Sequence, residues 1–101
     1  MKKFLAILMI AGFIISSKAM AAEYNGYDID GESFSCTAYS YDTGNYYYVT
    51  VEFSGSDVTI YFDNGGYITV TIDDEVIDDP SSISAYDYDK GAYWDLDVDL
   101  D

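Results

Sequence analysis

The fold is decided by residues 46–72, which read YYYVTVEFSGSDVTIYFDNGGYITVTI. Apolar and polar side chains alternate along three runs of this stretch, and a period of two is typical of half-buried β-strands. Turn residues separate the runs: Gly55 lies in the first turn, and the Asn64-Gly65 pair in the second is a strong hairpin signal. The stretch therefore predicts a three-stranded antiparallel meander. Its inward-facing residues are Tyr47, Val49, Val51, Phe53, Val58, Ile60, Phe62, Ile68, Val70 and Ile72.

The chain beyond residue 72 continues the same pattern after one interruption. Residues 73–82 are acidic and include Pro80, the only proline, so they predict a longer connection with one helical turn around residues 74–78. A strand over 83–88, a turn over 89–91 and a strand over 92–100 follow. The sequence thus predicts an all-β fold: a small antiparallel meander of five to seven strands, closed as a barrel or a two-layer sandwich, after an N-terminal signal peptide.

Two segments of the domain resemble each other. Residues 38–53 read AYSYDTGNYYYVTVEF and residues 85–100 read AYDYDKGAYWDLDVDL. At an offset of 47 they share alanine, tyrosine, aspartate and glycine positions, and each predicts one hairpin with an Asp-x-Gly turn. Either a tandem duplication or convergence of tyrosine-rich hairpins accounts for the likeness.

The first residues predict export. Lys2 and Lys3 precede an uncharged apolar run over 4–15, and Ala19-Met20-Ala21 supplies the small-x-small pattern of a cleavage site. As a helix the apolar run rises only about 18 Å, against a hydrocarbon core of roughly 30 Å. We therefore expect a signal peptide over 1–21, a single domain over 22–101, a secreted or periplasmic location of bacterial type, and no stable membrane insertion after cleavage.

The charge of the domain restricts its chemistry. Residues 22–101 carry 19 acidic side chains against Lys90 alone, a net charge of −18, and they contain no histidine or arginine. The resulting negative potential repels nucleic acid and anionic lipid and attracts cations. Nucleophile–histidine pairs, the usual zinc ligands and phosphate-binding motifs are all missing, so we expect no enzyme. Cys36 has no internal disulfide partner and is either a buried apolar residue or an intermolecular link, which leaves the oligomeric state open.

Calcium is the one cofactor that the sequence suggests. The segment from Asp28 to Glu32 resembles part of an EF-hand loop, with Asp28, Asp30 and Glu32 as candidate ligands. The first and last loop positions would then be Gly26 and Thr37, where that motif requires carboxylates. The prediction therefore depends on three carboxylates only.

The candidate partner-binding residues are tyrosines and aspartates that the alternation places outside the core. Tyrosine combines a large contact area with a hydroxyl group and suits recognition surfaces. The alternative is that these tyrosines form cross-strand pairs or a second core layer. The set comprises Tyr39, Tyr41, Tyr46, Tyr48, Tyr61, Tyr67, Tyr86, Tyr88, Tyr93, Asp95, Asp97 and Asp99.

These patterns lead to a functional expectation: a small secreted, non-catalytic binding module that recognises a cationic partner. In outline, a signal peptide followed by a small acidic β-domain is similar to bacterial periplasmic lysozyme inhibitors, which implies inhibition of a basic secreted enzyme such as lysozyme. One alternative is a calcium-responsive or salt-adapted structural domain of the envelope or extracellular space. Another is a surface component that self-associates through tyrosine-rich edges or a Cys36 disulfide.

Overall fold

The computed structural model describes residues 21–100, and these residues form nine β-strands in two sheets without any helix. Six strands make the larger sheet and three two-residue strands make the smaller one. The larger sheet contains β3 (Ser33–Ser40), β4 (Tyr46–Ser54), β5 (Asp57–Tyr61), β6 (Tyr67–Ile72), β8 (Ile83–Asp87) and β9 (Ala92–Val98). The smaller sheet contains β1 (Glu23–Tyr24), β2 (Tyr27–Asp28) and β7 (Val76–Ile77).

The larger sheet is a closed antiparallel barrel in the order β3-β4-β5-β6-β8-β9. Pairing of β3 with β9 completes the circle, with Cys36 opposite Val98 and Ser40 opposite Trp94. Closure removes the free strand edges that an open sheet would expose to other chains. The predicted all-β meander is confirmed, and of the two predicted closures the barrel is the one observed. The predicted signal peptide lies outside the described residues except for residue 21.

Alternation along each strand explains the core. The inward side chains Val51, Phe53, Val58, Ile60 and Leu96 are completely inaccessible to solvent. Full burial of one such side chain stabilises the folded state by about 1.5–3 kcal/mol. The barrel interior is therefore filled by side chains, and any ligand site has to lie outside it or at one of its ends.

One end of the barrel is covered by the N-terminal segment. The side chain of Ala22 is fully buried, and its backbone nitrogen donates to Asp30 Oδ1 at 2.8 Å. The same oxygen accepts the Gly55 N–H at 2.9 Å, which ties the segment to the β4–β5 turn. We call this the covered end. Ile29 and Ile77 add buried apolar side chains to it.

The predicted helical turn around residues 74–78 is wrong, because these residues pair with the N-terminal segment. The Asp74 carboxylate accepts the Val76 N–H at 2.9 Å, and the Glu23 N–H donates to the Glu75 carbonyl at 2.8 Å. Strand β7 then runs parallel to β1, the one parallel strand pair among residues 21–100. Local propensity gave no sign of this partner, which lies about fifty residues earlier in the chain.

The opposite end of the barrel carries three hairpin turns, over residues 41–45, 62–66 and 88–91. We call this the turn end. No segment of the described chain lies across it in the way that the N-terminal segment crosses the covered end.

The two similar segments fold as matching hairpins at the turn end. Tyr39 pairs with Tyr46 in β3–β4, and Tyr86 pairs with Tyr93 in β8–β9, so the offset of 47 holds across both registers. Each turn is closed by a glycine N–H, from Gly44 to the Ser40 carbonyl and from Gly91 to the Asp87 carbonyl, both at 2.8 Å. The two glycines have φ angles of 74° and 67°, a left-handed conformation that glycine adopts without strain.

No segment within residues 21–100 is a helix of the length and hydropathy needed to cross a membrane.

Candidate functional site

The nine candidate tyrosines all lie on the outside of the barrel or in its turns. Tyr39 and Tyr86 are half-buried, and the other seven are exposed. The most exposed of them, Tyr48 and Tyr88, retain 78% and 75% of their accessible surface. The predicted tyrosine-rich surface is confirmed, and these side chains are not a second core layer. Tyr27, in the small sheet, is equally exposed at 75% and lies in a strand too short for sequence periodicity to detect.

Each of the three turn-end hairpins carries a cross-strand tyrosine pair near its turn, with one ring on each strand. The ring centroids of Tyr39 and Tyr46 are 4.8 Å apart, those of Tyr61 and Tyr67 6.0 Å, and those of Tyr86 and Tyr93 4.7 Å. In the two matching hairpins a third ring joins by an edge contact: Tyr41 lies 4.9 Å from Tyr39, and Tyr88 lies 4.7 Å from Tyr86. The result is a belt of tyrosines around the barrel near the turn end, which we call the tyrosine belt.

The two tyrosine trios adjoin each other because β9 pairs with β3. The Tyr41 N–H donates to the Tyr93 carbonyl at 3.1 Å, which joins the first turn to the second hairpin. Six tyrosines therefore cover the neighbouring strands β8, β9, β3 and β4. Side by side, they offer one surface and not two isolated clusters.

An acidic groove of about 520 Å³ continues from this belt along the outside of the barrel. Asp97 and Asp99 form one side, and Tyr48 and Asp63 line it as well. The other outward-facing residues are small and polar: Ser35, Thr37 and Thr50. Of the predicted aspartates, Asp97 and Asp99 are exposed in this groove, whereas Asp95 is half-buried and accepts a hydrogen bond from Ser82 Oγ at 3.1 Å.

Cys36 also lines the acidic groove but is only 5% exposed. The pKa of its thiol is raised to about 12, mainly by burial and secondly by the negative charge of Asp97. The thiolate is the nucleophilic form of cysteine, so the raised pKa disfavours reaction of this thiol at neutral pH. The interpretation of Cys36 as a buried apolar residue agrees with this environment.

The candidate calcium ligands are engaged by the backbone. Asp28 Oδ1 accepts the Asp30 N–H at 2.9 Å, and Asp30 Oδ1 accepts two N–H groups at the covered end. Among residues 21–100 no three carboxylate, thiol or imidazole groups converge as metal ligands. Calcium binding by Asp28, Asp30 and Glu32 stays a prediction, and these hydrogen bonds give the first two side chains a structural role.

A cavity of about 330 Å³ opens at the turn end. Tyr47, Phe62 and Trp94 line it, with ring centroids 5.8–6.3 Å apart. Ser40 and Asp87 also line it, and they are the only buried polar side chains among residues 21–100, at 1% and 2% exposure. We call this the turn-end cavity. Its rim includes Asp42, Thr43, Asn64 and Lys90.

The sequence-based selection of site residues did not include this cavity. A usable signal was present: the alternation places Ser40 and Asp87 at inward positions, and the offset of 47 aligns the two residues. A polar residue at an inward position of both copies indicates a shared role in the turn.

Comparison of the chain with protein-family models, with curated proteins and with solved structures finds no match.

Proposed function

We propose that this protein is an exported, non-catalytic binding module that recognises a cationic partner through the tyrosine belt and the acidic groove. The observation that carries the proposal is the continuity of the two features. Six tyrosines cover four adjacent strands, and Tyr48 extends that surface to Asp97 and Asp99.

The chemistry of this surface matches basic protein surfaces. Exposed tyrosine rings attract lysine and arginine side chains through cation–π contacts, each worth about 0.5–1 kcal/mol at exposed sites. Carboxylates accept charge-assisted hydrogen bonds from the same groups. Because the domain carries a net charge of −18, long-range attraction also accelerates the encounter with a basic protein.

Cross-strand pairing alone does not account for the belt. A pair that serves only to stabilise the sheet needs contact between its two rings. Tyr46 and Tyr93 make that contact and still leave 69% and 62% of their surface exposed to solvent. Contiguous exposed aromatic surface of this kind is typical of interaction sites.

The proposal is tested with the mature chain, residues 22–101, and a basic protein such as lysozyme. We expect saturable binding by isothermal titration calorimetry at low salt, and a loss of affinity as the salt concentration rises. The variant Tyr48→Ser/Asp97→Asn/Asp99→Asn should weaken binding by at least about tenfold, because the ring and both carboxylates contact the partner.

The matched control removes the same charge elsewhere. Asp73→Asn/Asp78→Asn changes two exposed carboxylates in the loop at the covered end, away from the belt and groove. We expect this variant to retain affinity within about twofold after correction for net charge. Equal losses in both variants would reduce the interaction to nonspecific charge attraction. Absence of binding to lysozyme and to other basic proteins at low salt would reject the proposal.

A further inference from the structure

The turn-end cavity contains a carboxylate that its own hairpin does not require. The Asp87 carboxylate accepts the N–H groups of Asp89 at 2.9 Å and Lys90 at 3.3 Å, both through Oδ1. In the matching hairpin Ser40 occupies the same position, and its Oγ accepts the Thr43 N–H at 3.2 Å. A neutral hydroxyl therefore supports an equivalent turn, so a turn of this type does not require the negative charge of Asp87.

Burial makes this charge costly. Asp87 is only 2% exposed, and within residues 21–100 both of its hydrogen bonds fall on one oxygen, which leaves Oδ2 without a protein donor. A buried carboxylate is costly to maintain unless it is paired with a cation or fully hydrogen-bonded. A cationic ligand in the cavity would supply the missing partner.

The other walls of the cavity suit an organic cation. Tyr47, Phe62 and Trp94 provide aromatic surface, and aromatic rings beside a carboxylate are a recurrent way of binding ammonium groups. The rim adds Asp42 and Lys90, so the lining carries two negative charges and one positive charge. The mouths of β-barrels are common places for small-ligand sites.

We propose that the turn-end cavity binds an alkylammonium group on a short apolar stem, with the ammonium at Asp87 and the stem against the aromatic rings. The site depends on the cavity alone and not on recognition of a basic protein by the tyrosine belt. The same chemistry is offered by a free amine and by a lysine side chain of another protein.

The test uses the fluorescence of Trp94, which is the only tryptophan of the chain and lines the cavity. Mature protein is titrated with n-butylammonium chloride, with sodium chloride at matched ionic strength, and with n-butanol as the neutral analogue. We expect a saturable change with n-butylammonium and binding of n-butanol that is at least about tenfold weaker. A response that sodium chloride reproduces, or equal affinity for n-butanol, would overturn the proposal.

Variants of Asp87 locate the cation. Asp87→Ser copies the matching hairpin and Asp87→Asn keeps an acceptor oxygen, so both preserve the turn while removing the charge. Each should weaken n-butylammonium binding by about tenfold or more, whereas Asp89→Asn, an exposed carboxylate of the same turn outside the cavity, should change it less than about twofold. Equal effects at residues 87 and 89 would overturn the proposal.

Two rim variants keep the test decisive if substitution at Asp87 prevents folding. Lys90→Gln removes a repelling charge and should tighten binding by about twofold, and Asp42→Asn should weaken it by a similar factor. Effects of the opposite sign would show that n-butylammonium does not bind beside these two side chains, and would reject the site. A blocked Gly-Lys-Gly peptide then separates the sources: tighter binding than n-butylammonium indicates a peptide-borne lysine, and weaker binding indicates a free amine.

Discussion

At the scale of single residues, Cys36 makes the free energy of unfolding fall as the pH rises into the alkaline range. Burial, with Asp97 second, raises the pKa of the folded thiol from 9.0 to about 12. The unfolded thiol therefore ionises first as the pH rises, which favours unfolding above about pH 9 and reaches its full effect near pH 12. Below pH 9 both states hold the proton, and the full stabilising contribution is present.

We predict that the native chain loses up to about 2 kcal/mol of unfolding free energy relative to Cys36→Ala between pH 8 and pH 10.5. Urea denaturation of both proteins at the two pH values measures this difference. Any contribution of the tyrosines is common to both proteins and cancels. A difference that is constant with pH would contradict the assigned environment. The same burial predicts that a disulfide reagent modifies Cys36 only after denaturation. A disulfide-linked dimer of the native protein would contradict the buried position of Cys36.

Residue-level sequence reasoning succeeded wherever a side chain repeats with a period of two. It placed Val51, Phe53 and Ile60 inside and the nine tyrosines outside, because a strand presents alternate residues to opposite faces. It did not single out Ser40 and Asp87, whose significance depends on how three turns meet at one end of a closed barrel. Charge and composition alone do not contain that arrangement.

At the scale of elements, the matching hairpins depend on a glycine in the left-handed conformation. Gly44 and Gly91 have positive φ angles, and an L-residue with a Cβ atom loses about 1–2 kcal/mol there. We predict that Gly44→Ala lowers the unfolding free energy by this amount, measured by chemical denaturation. Gly44→Asn is the matched variant and should lose less, because asparagine tolerates this conformation better. Equal losses would mean that the side chain, and not the backbone angle, causes the effect.

The N-terminal segment gives a second prediction at this scale. If cleavage follows Ala21, the nitrogen that lies 2.8 Å from Asp30 Oδ1 becomes an α-ammonium, and the hydrogen bond becomes an ion pair. An anionic partner favours the charged amine, so this contribution is present below the ordinary α-amino pKa of about 8 and is lost at higher pH.

Asp30→Asn should therefore destabilise the chain that begins at Ala22 by about 1 kcal/mol more than a chain that retains Ala21. The four proteins are the two chain lengths, each with and without Asp30→Asn. Their thermal denaturation at pH 6.5 and pH 9.5 measures how far the effect of Asp30 depends on a charged terminus. The extra loss should be present at pH 6.5 and much smaller at pH 9.5. A loss that is the same with and without Ala21 would leave Asp30 as a hydrogen-bond acceptor only.

Element prediction from the sequence was good for the hairpins and poor for the covered end. The turns around Gly55 and Asn64-Gly65 and the matching hairpins have local signals, so their strands were expected. Strands β1, β2 and β7 have two residues each, which is too short for any period to show. The pairing of β1 with β7 joins distant parts of the chain and was accordingly missed.

At the scale of the whole molecule, repulsion among the negative side chains determines how Tm responds to salt. With a net charge of −18 and Lys90 as the only basic side chain of the domain, the folded state concentrates like charges. Raising the ionic strength from 0.01 M to 0.15 M shortens the screening length from about 30 Å to about 8 Å. We therefore predict that Tm rises by several degrees over this range in sodium chloride.

Calcium serves as the comparison. If charge screening alone causes the rise, millimolar calcium chloride at matched ionic strength should raise Tm about as much as sodium chloride does. Differential scanning calorimetry in the two salts measures the difference in Tm. A much larger effect of calcium would instead support the calcium-responsive alternative and its candidate ligands.

The position of Lys90 has a practical consequence for detecting and dividing the protein. Trypsin cuts after lysine and arginine, so within residues 22–101 it has a single site, in the exposed turn between β8 and β9. Tryptic mass spectrometry would therefore yield one short peptide from Gly91 onward and one very long fragment. In the folded barrel the same cut leaves β9 hydrogen-bonded to both β8 and β3, which makes this turn the natural place to split the protein into two reassociating halves.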